Sequence, residues 1–275
     1  MSVLNAALRP AFDLLLLPFA GMPPLVGLFL VSLLVSVLML VVFKRTSNQA
    51  ALALVKRKIH AGIFEIRLFN DDLRAILRAQ NEILRTNLTY LRLSLWPMLF
   101  LLPPLVLVIA QLQFHYGYQG LRPGQRALLE VDLDRQAATG ARPRMALELP
   151  AGLRAETDAV WIPAESQLVW RLVAEREGDY ELGLSLDGAE RLTKTVRVTP
   201  RTVRLSPERV GAGFFSQLLY PAEPPLPAGP VRSVRLSYPE RDIDVLGHGM
   251  NWMIPFFALS ILFAFALRGL FKVTI

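Results

Sequence analysis

The chain has 275 residues, 53% of them hydrophobic, with a mean hydropathy of +0.38 and a formal net charge of +7. This composition excludes an ordinary soluble domain, and the absence of cysteine excludes disulfides and cysteine-based metal or redox chemistry. The three histidines lie far apart without metal-ligand spacing, and no nucleophile, base and orienting group occur at a spacing typical of an enzyme. We therefore predict no metal site, no cofactor and no catalytic residue.

Residues 1–22 contain one arginine and a short apolar run, a pattern that a signal peptide also shows. The run is brief, Asp13 stands directly before it, and a longer apolar stretch follows at once. We therefore favour an interfacial or re-entrant helix from Ser2 to Phe19 that lies on the outer leaflet of a membrane.

Three stretches of about 18–22 residues carry no charge, and this length matches a hydrocarbon layer about 30 Å thick. They occupy residues 23–43, 93–114 and 250–267. A buried core helix has the same composition, but three such helices are not expected in one small chain. We predict an α-helical bundle of three transmembrane helices, the first at 23–43, the second at 93–114 and the third, with a basic tail, within 248–275.

Charge placement predicts the orientation of these spans. Residues 44–92 contain ten Lys and Arg against four Asp and Glu, whereas residues 115–247 contain seventeen against eighteen. Basic loops stay in the cytoplasm, so we expect 44–92 and the C-terminus there, with the N-terminus and 115–247 outside. The external domain has no cysteine although an oxidising lumen would permit disulfides, which suggests a prokaryotic inner membrane. Orientation accounts for the basic charge, so no nucleic-acid partner is expected.

Residues 44–92 are predicted to form a cytoplasmic helical hairpin, because apolar residues recur at three- and four-residue spacing on both sides of the sequence FNDD. Residues 70–72 are expected to turn the chain and cap the second helix. The two stripes comprise Leu52, Val55, Ile59, Ile63 and Ile66, then Leu73, Leu77, Ile83, Leu84, Leu88 and Leu91. The hairpin is either a coiled-coil spacer or an arm that holds a partner or client.

The second apolar stretch carries Pro97, Pro103 and Pro104 and ends on Gln111 and Gln113. Proline frees a backbone carbonyl and bends a helix. Freed groups in lipid need a neighbour or water, so the prolines either shape packing or open a wetted groove. The two amides are expected to form hydrogen bonds in the headgroup zone.

Residues 115–247 alternate between apolar and polar residues in short runs, which predicts an extracytoplasmic all-β domain. The predicted strands lie in 126–134, 144–150, 166–175, 179–188 and 193–200, with a hairpin turn at 187–188. Tyr180 stands where the corner tyrosine of immunoglobulin-like sandwiches bonds to backbone. We expect such a sandwich of about six or seven strands, with a proline-rich loop at 220–234, serving as a binding or spacer module.

Short motifs around the apolar stretches resemble the three-span branch of the YidC/Oxa superfamily, which includes archaeal YidC-like proteins and the insertase subunit of the ER membrane complex. The residues that carry this resemblance are Lys44, Arg45, Thr46, Gln49, Asn87, Pro97, Met98, Trp252, Arg268 and Lys272. It covers residues 24–113 and 250–272. The chain departs from the family in its β-domain, which replaces a short loop, and in having no Lys or Arg within a span.

The resemblance implies a membrane-protein insertase or membrane chaperone that admits polar client segments through a cytoplasm-facing groove. The expected partners are the lipid bilayer and client membrane proteins. The residues expected to contact a client or partner are Lys44, Arg45, Lys56, Arg57, Lys58, Asn87, Arg92, Pro97, Met98, Pro103 and Pro104.

The alternative is a non-catalytic scaffold subunit of a hetero-oligomeric cell-envelope complex, which binds other envelope proteins through the β-sandwich. A transporter is not favoured, because spans without charge offer no ion path.

Overall fold

The computed structural model describes residues 1–68, 73–134, 143–186 and 191–273. The described residues form six α-helices, a 3₁₀ turn and eleven β-strands. They separate into two compact units, Met1–Leu28 with Leu107–Ile254, and Phe29–Val106 with Pro255–Ile275. The helices are α1 (Ser2–Leu16), α2 (Pro24–Thr46), α3 (Gln49–Leu68), α4 (Leu73–Tyr116), α5 (Phe214–Leu219) and α6 (Met253–Phe271), with the 3₁₀ turn at Leu17–Phe19.

The β-domain of the first unit contains two antiparallel sheets whose side chains share one hydrophobic core. The six-stranded sheet has the order β3-β5-β1-β9-β8, and β4 also pairs with β5. The three-stranded sheet has the order β2-β6-β7, and a separate hairpin joins β10 and β11. The strands are β1 (Arg126–Leu133), β2 (Met145–Glu148), β3 (Leu153–Ala155), β4 (Val160–Ile162), β5 (Gln167–Ala174), β6 (Gly178–Leu186), β7 (Leu192–Val198), β8 (Glu208–Val210), β9 (Val231–Leu236), β10 (Asp242–Val245) and β11 (His248–Asn251).

All five strands predicted from alternation are present, as β1, β2, β5, β6 and β7. The predicted turn at 187–188 lies outside the described residues, although β6 and β7 pair on either side of it, with Leu184 opposite Leu192. The loop predicted over 220–234 is wrong at its end, because β9 begins at Val231. That strand lies between β1 and β8. The proline-rich run ends at Pro230, and the residues that follow have backbone N–H groups that can donate hydrogen bonds to neighbouring strands.

Tyr180 forms the predicted corner contact. Its hydroxyl donates to the carbonyl oxygen of Arg176 at 3.0 Å. The ring occupies the space that a Cβ atom would need at Gly152, whose φ is +122°. Glycine at position 152 therefore both permits this backbone conformation and makes room for the tyrosine.

Helix α1 is bonded to the β-domain at several points along its length. Asn5 Nδ2 donates to the carbonyl oxygen of Gln217 at 2.6 Å. Asp13 lies 2.8 Å from Arg204 Nη2 and 3.2 Å from His115 Nε2. These contacts leave the apolar side chains of Val3, Leu14 and Leu17 exposed.

A buried ion pair joins two segments of the β-domain. Lys194 is 0% exposed, and its Nζ lies 2.6 Å from Glu223 Oε2 and 2.6 Å from the carbonyl oxygen of Ser206. The second carboxylate oxygen of Glu223 accepts a bond from the Thr195 amide at 2.7 Å. Burial lowers the pKa of Lys194. Burial also opposes ionisation of Glu223, yet the Lys194 charge and three hydrogen bonds hold the pKa of that carboxyl below its ordinary value.

We expect Lys194→Met to lower the free energy of unfolding by about 3–5 kcal/mol, because it leaves the Glu223 carboxylate buried without its cation. The midpoint of thermal unfolding of the purified full chain, followed by the circular dichroism of its β-structure, measures this loss. The double variant Lys194→Met, Glu223→Leu is the matched control and should recover more than half of it. A single variant no less stable than the double would contradict the prediction.

In the second unit, α2 packs on α6 through small polar residues. Ser36 Oγ donates to the carbonyl oxygen of Ser260 at 2.9 Å, and Ser32 Oγ to that of Phe256 at 3.4 Å. The rings of Phe29 and Phe263 meet edge to face with centroids 4.9 Å apart. Serines of this kind let apolar helices approach closely and hydrogen-bond across the contact.

Helices α3 and α4 meet where Gly62 lies against Ile83, since an added Cβ atom at Gly62 would lie 2.7 Å from Ile83 Cγ1. Leu52 and Val55 of the predicted α3 stripe are buried. Of the predicted α4 stripe, Ile83 lies at this contact, whereas the other five members are wrong as contact residues. Its exposed members are Leu73, Leu77, Leu84, Leu88 and Leu91. The predicted turn at 70–72 lies outside the described residues.

Among the described residues, four helical segments are long and apolar enough to cross a membrane. Three coincide with the predicted spans, at Pro24–Thr46, Ile76–Tyr116 and Met253–Phe271. The fourth, Ser2–Phe19, consists of α1 and the 3₁₀ turn. The third segment begins at Met253 although the apolar stretch begins at residue 250, because His248–Asn251 pairs with β10.

Candidate functional site: a groove beside the α2–α3 corner

Side-chain hydrogen bonds shape the corner between α2 and α3. Thr46 Oγ1 donates to the carbonyl oxygen of Val42 at 2.8 Å, and Ser47 Oγ donates to that of Phe43 at 2.5 Å. Asn48 Oδ1 accepts a bond from the Ala51 amide at 3.0 Å, which caps the first turn of α3. The chain therefore changes direction at a defined point after the last apolar turn of α2.

Successive turns of α4 face this corner. Thr89 is held by a bond from its Oγ1 to the carbonyl oxygen of Arg85 at 3.0 Å. Trp96 packs edge to face on Phe100, with ring centroids 5.4 Å apart, and is 61% exposed. Exposed indole and leucine side chains along one stretch of helix leave an apolar surface that nothing in the described chain covers.

Together these elements line a groove of about 650 Å³ within the second unit. Arg92 is the one charged residue in its lining, and no hydrogen bond or ion pair joins its side chain to another described residue. The lining residues are Thr46, Asn48, Thr89, Arg92, Leu93, Leu95, Trp96 and Leu99. The groove therefore combines apolar walls with a single unmatched positive charge.

Helix α4 continues through all three prolines without interruption from Leu73 to Tyr116. A proline has no N–H, so the carbonyl four residues earlier loses its helical partner. For Pro97 and Pro103 those carbonyls belong to Leu93 and Leu99, and both residues line the groove. The prolines thus place unpaired backbone acceptors on groove residues while the helix stays intact.

The structure brings one of the eleven predicted contact residues, Arg92, into this groove. Pro97 is buried beside it, and Met98 is exposed. Asn87 is exposed and donates to the carbonyl oxygen of its own helix at Ile83, at 3.1 Å. The residues that lie outside the lining are Lys44, Arg45, Lys56, Arg57, Lys58, Asn87, Pro97, Met98, Pro103 and Pro104.

Sequence reasoning missed most of the groove lining as functional. In the sequence, Thr46 belongs to a short motif, and Asn48 lies two residues after it. The α4 part of the lining includes Thr89, Leu95 and Trp96. No short sequence motif connects these positions to the α2–α3 corner. A helical projection of 89–99 could have placed Thr89, Arg92, Trp96 and Leu99 on one face.

The two glutamines at the opposite end of α4 differ in their partners. Gln113 Oε1 accepts a bond from Trp252 Nε1 at 2.9 Å, and the Trp252 side chain is buried. This contact joins the end of α4 to the residue that precedes α6. Gln111 is also buried, but its side-chain Oε1 has no hydrogen-bond partner among the described residues, and only its backbone carbonyl oxygen lies 3.1 Å from His115 Nδ1 of the same helix.

No family model, no curated protein and no solved structure matches the chain.

We expect a cysteine at Leu99 to react with a membrane-impermeant maleimide at least tenfold faster than a cysteine at Leu102 in lipid vesicles. Both leucines are exposed on α4, but only Leu99 lines the groove. A thiol reacts as the thiolate, which forms where water reaches it. The chain contains no cysteine of its own, so Leu99→Cys and Leu102→Cys can be compared directly. Equal rates would show that the groove is not wetted.

Proposed function

We propose that this protein is a YidC/Oxa-like membrane-protein insertase or membrane chaperone component. The groove of the second unit is the observation that supports the proposal. It offers apolar walls, one unpaired guanidinium and two backbone carbonyls without helical partners. These are the groups that a short apolar segment with a polar end could use at once.

The proposed mechanism involves no covalent chemistry. An acidic or polar tail of a client is attracted by Arg92, while its apolar part lies against Leu95, Trp96 and Leu99. Contact with these side chains removes apolar surface from water, at about 25 cal/mol per Å². The carbonyl oxygens of Leu93 and Leu99 accept bonds from water or client amides. The client tail then stays partly solvated, which lowers the cost of carrying it into lipid.

We further infer three spans, α2, the apolar part of α4, and α6, with α3 in the cytoplasm and the groove open to the cytoplasm. Helix α1 meets the length requirement for a fourth, but its bonds from Asn5 and Asp13 to the β-domain favour a position on the external surface. The basic charge of residues 44–92 supports this orientation. The Tyr180 corner and the shared core support an immunoglobulin-like sandwich as the external domain.

Arg92→Glu should reduce insertion of a client with an acidic tail about fivefold. Reversing the charge at position 92 changes the electrostatic energy of the nearby client tail by about 1 kcal/mol. The measurement is protease protection of a single-span client added to vesicles that contain the full chain. The same client with asparagine in place of its tail aspartates should be affected less than twofold. Arg78→Glu is the matched control, since Arg78 is exposed on the same helix outside the groove.

Two results would contradict the insertase proposal. One is equal loss of insertion in Arg92→Glu and Arg78→Glu, which would indicate a general charge effect. The other is wild-type vesicles that insert no more client than empty vesicles. In that case the scaffold function, which needs no groove, is the one that remains.

The topology has its own test in the cysteine-free chain. Lys58→Cys should be labelled from the cytoplasmic side, and Glu165→Cys and Val3→Cys from the opposite side, in inverted and right-side-out vesicles. All three positions are exposed. Labelling of Val3→Cys from the side of Lys58→Cys would make α1 a fourth span. Labelling of Lys58→Cys and Glu165→Cys from one side would refute the arrangement.

A scaffold subunit is the second candidate function, and one observation favours it. Helix α5 exposes Phe214, Phe215 and Leu219, with Phe215 at 74%. Phenylalanine is enriched where proteins bind one another. A partner in the cell envelope could cover this helix without any client entering the groove.

A further inference from the structure

A second cavity, of about 500 Å³, lies within the first unit where the turn before α2 meets loops of the β-domain. The turn contributes Ala20–Met22 and Pro24. The loops contribute three arginines, Arg122, Arg201 and Arg241, and one acid, Asp242. The lining thus carries an excess of positive charge.

Arg241 is the residue on which the inference depends. It is 7% exposed, and its Nη1 donates to Thr202 Oγ1 at 2.5 Å. In the part of the chain that the structure describes, no carboxylate forms an ion pair with it. Burial lowers the pKa of Arg241, but an arginine stays charged in a protein. A buried charge without a counterion is costly, and an anion in the cavity would offset that cost.

Arg122 and Arg201 are exposed at the same cavity, and neither forms an ion pair with a described residue. Seven other arginines of this unit form ion pairs with acids. They are Arg126, Arg154, Arg191, Arg197, Arg204, Arg232 and Arg235. The cavity brings three guanidinium groups without such a pair together in one lining.

Backbone contacts hold the walls of the cavity together. An added Cβ atom at Gly120 would overlap the carbonyl oxygen of Thr199, so glycine lets the segments that carry Arg122 and Arg201 lie side by side. The Thr202 amide donates to the carbonyl oxygen of Ala20 at 2.9 Å. The Arg241 amide donates to that of Gly117 at 3.0 Å. The positions of the arginines are thus built into the fold.

We propose that this cavity binds a phosphate group, as the headgroup of an anionic phospholipid or as free phosphate. Planar guanidinium groups match phosphate oxygens in paired hydrogen bonds. Pro24, at the start of α2, lines the cavity. In the proposed topology this position lies at the level of the lipid headgroups, which favours the lipid as the source. The inference uses the proposed membrane topology and does not depend on insertase activity.

Binding is measured with the purified full chain in a neutral detergent. The ligands are phosphatidylglycerol, phosphatidylcholine and inorganic phosphate, all at one ionic strength. The readouts are lipid retention in native mass spectrometry and the midpoint of thermal unfolding. We expect phosphatidylglycerol to bind about tenfold more tightly than phosphatidylcholine, which corresponds to a difference in binding free energy of about 1.4 kcal/mol. If inorganic phosphate raises the midpoint as much as phosphatidylglycerol does, free phosphate is the ligand.

The variant Arg122→Gln, Arg201→Gln changes only exposed side chains and should keep the fold while it abolishes the preference for phosphatidylglycerol. Arg241→Gln should likewise keep the fold and abolish the preference for phosphatidylglycerol. Arg176→Gln removes an exposed arginine outside the cavity and should retain the preference. The proposal is overturned if neither phosphatidylglycerol nor inorganic phosphate binds more tightly than phosphatidylcholine. It is also overturned if the double variant binds phosphatidylglycerol as tightly as the wild type does. No client is used, so this failure is distinct from a failure of insertion.

Discussion

A backbone carbonyl that loses its helical amide partner inside hydrocarbon has no water to replace it. Each of the three prolines of α4 removes the helical partner of one carbonyl, in a helix that continues without interruption. Two of the affected carbonyls, on Leu93 and Leu99, belong to residues that line the groove. The need to satisfy them makes a wetted or occupied groove favourable at this part of α4, and the proposed function depends on it.

The protein treats its buried and unpaired charges in two different ways. Lys194 and Glu223 pair with each other inside the β-domain, and Ser206 and the Thr195 amide supply their remaining bonds, so the pair specifies structure. Arg241 is almost as deeply buried but has only a hydroxyl partner, and Arg92 has none among the described residues. An arginine without a counterion in a cavity favours binding of an anion, because the anion offsets part of the cost of removing the guanidinium group from water.

Helix α1 shows why apolar length does not by itself determine topology. Its composition satisfies the requirement for a span. Asn5 and Asp13, however, bond to the β-domain, and a helix that crossed the membrane would have to leave those partners. A helix held in this way can still present Val3, Leu14 and Leu17 to a lipid surface. In the proposed topology these polar contacts keep α1 on the membrane surface.

The sequence alone determined the elements whose signal is local. Long uncharged stretches predicted α2, the apolar part of α4, and α6, and alternation of apolar and polar residues predicted β1, β2, β5, β6 and β7. Only the tertiary structure decided the rest. The groove joins Thr46 to Trp96, the ion pair joins Lys194 to Glu223, and the cavity joins Arg122 to Arg241. No local pattern encodes these contacts, because they form only when packing of separate elements brings distant residues together.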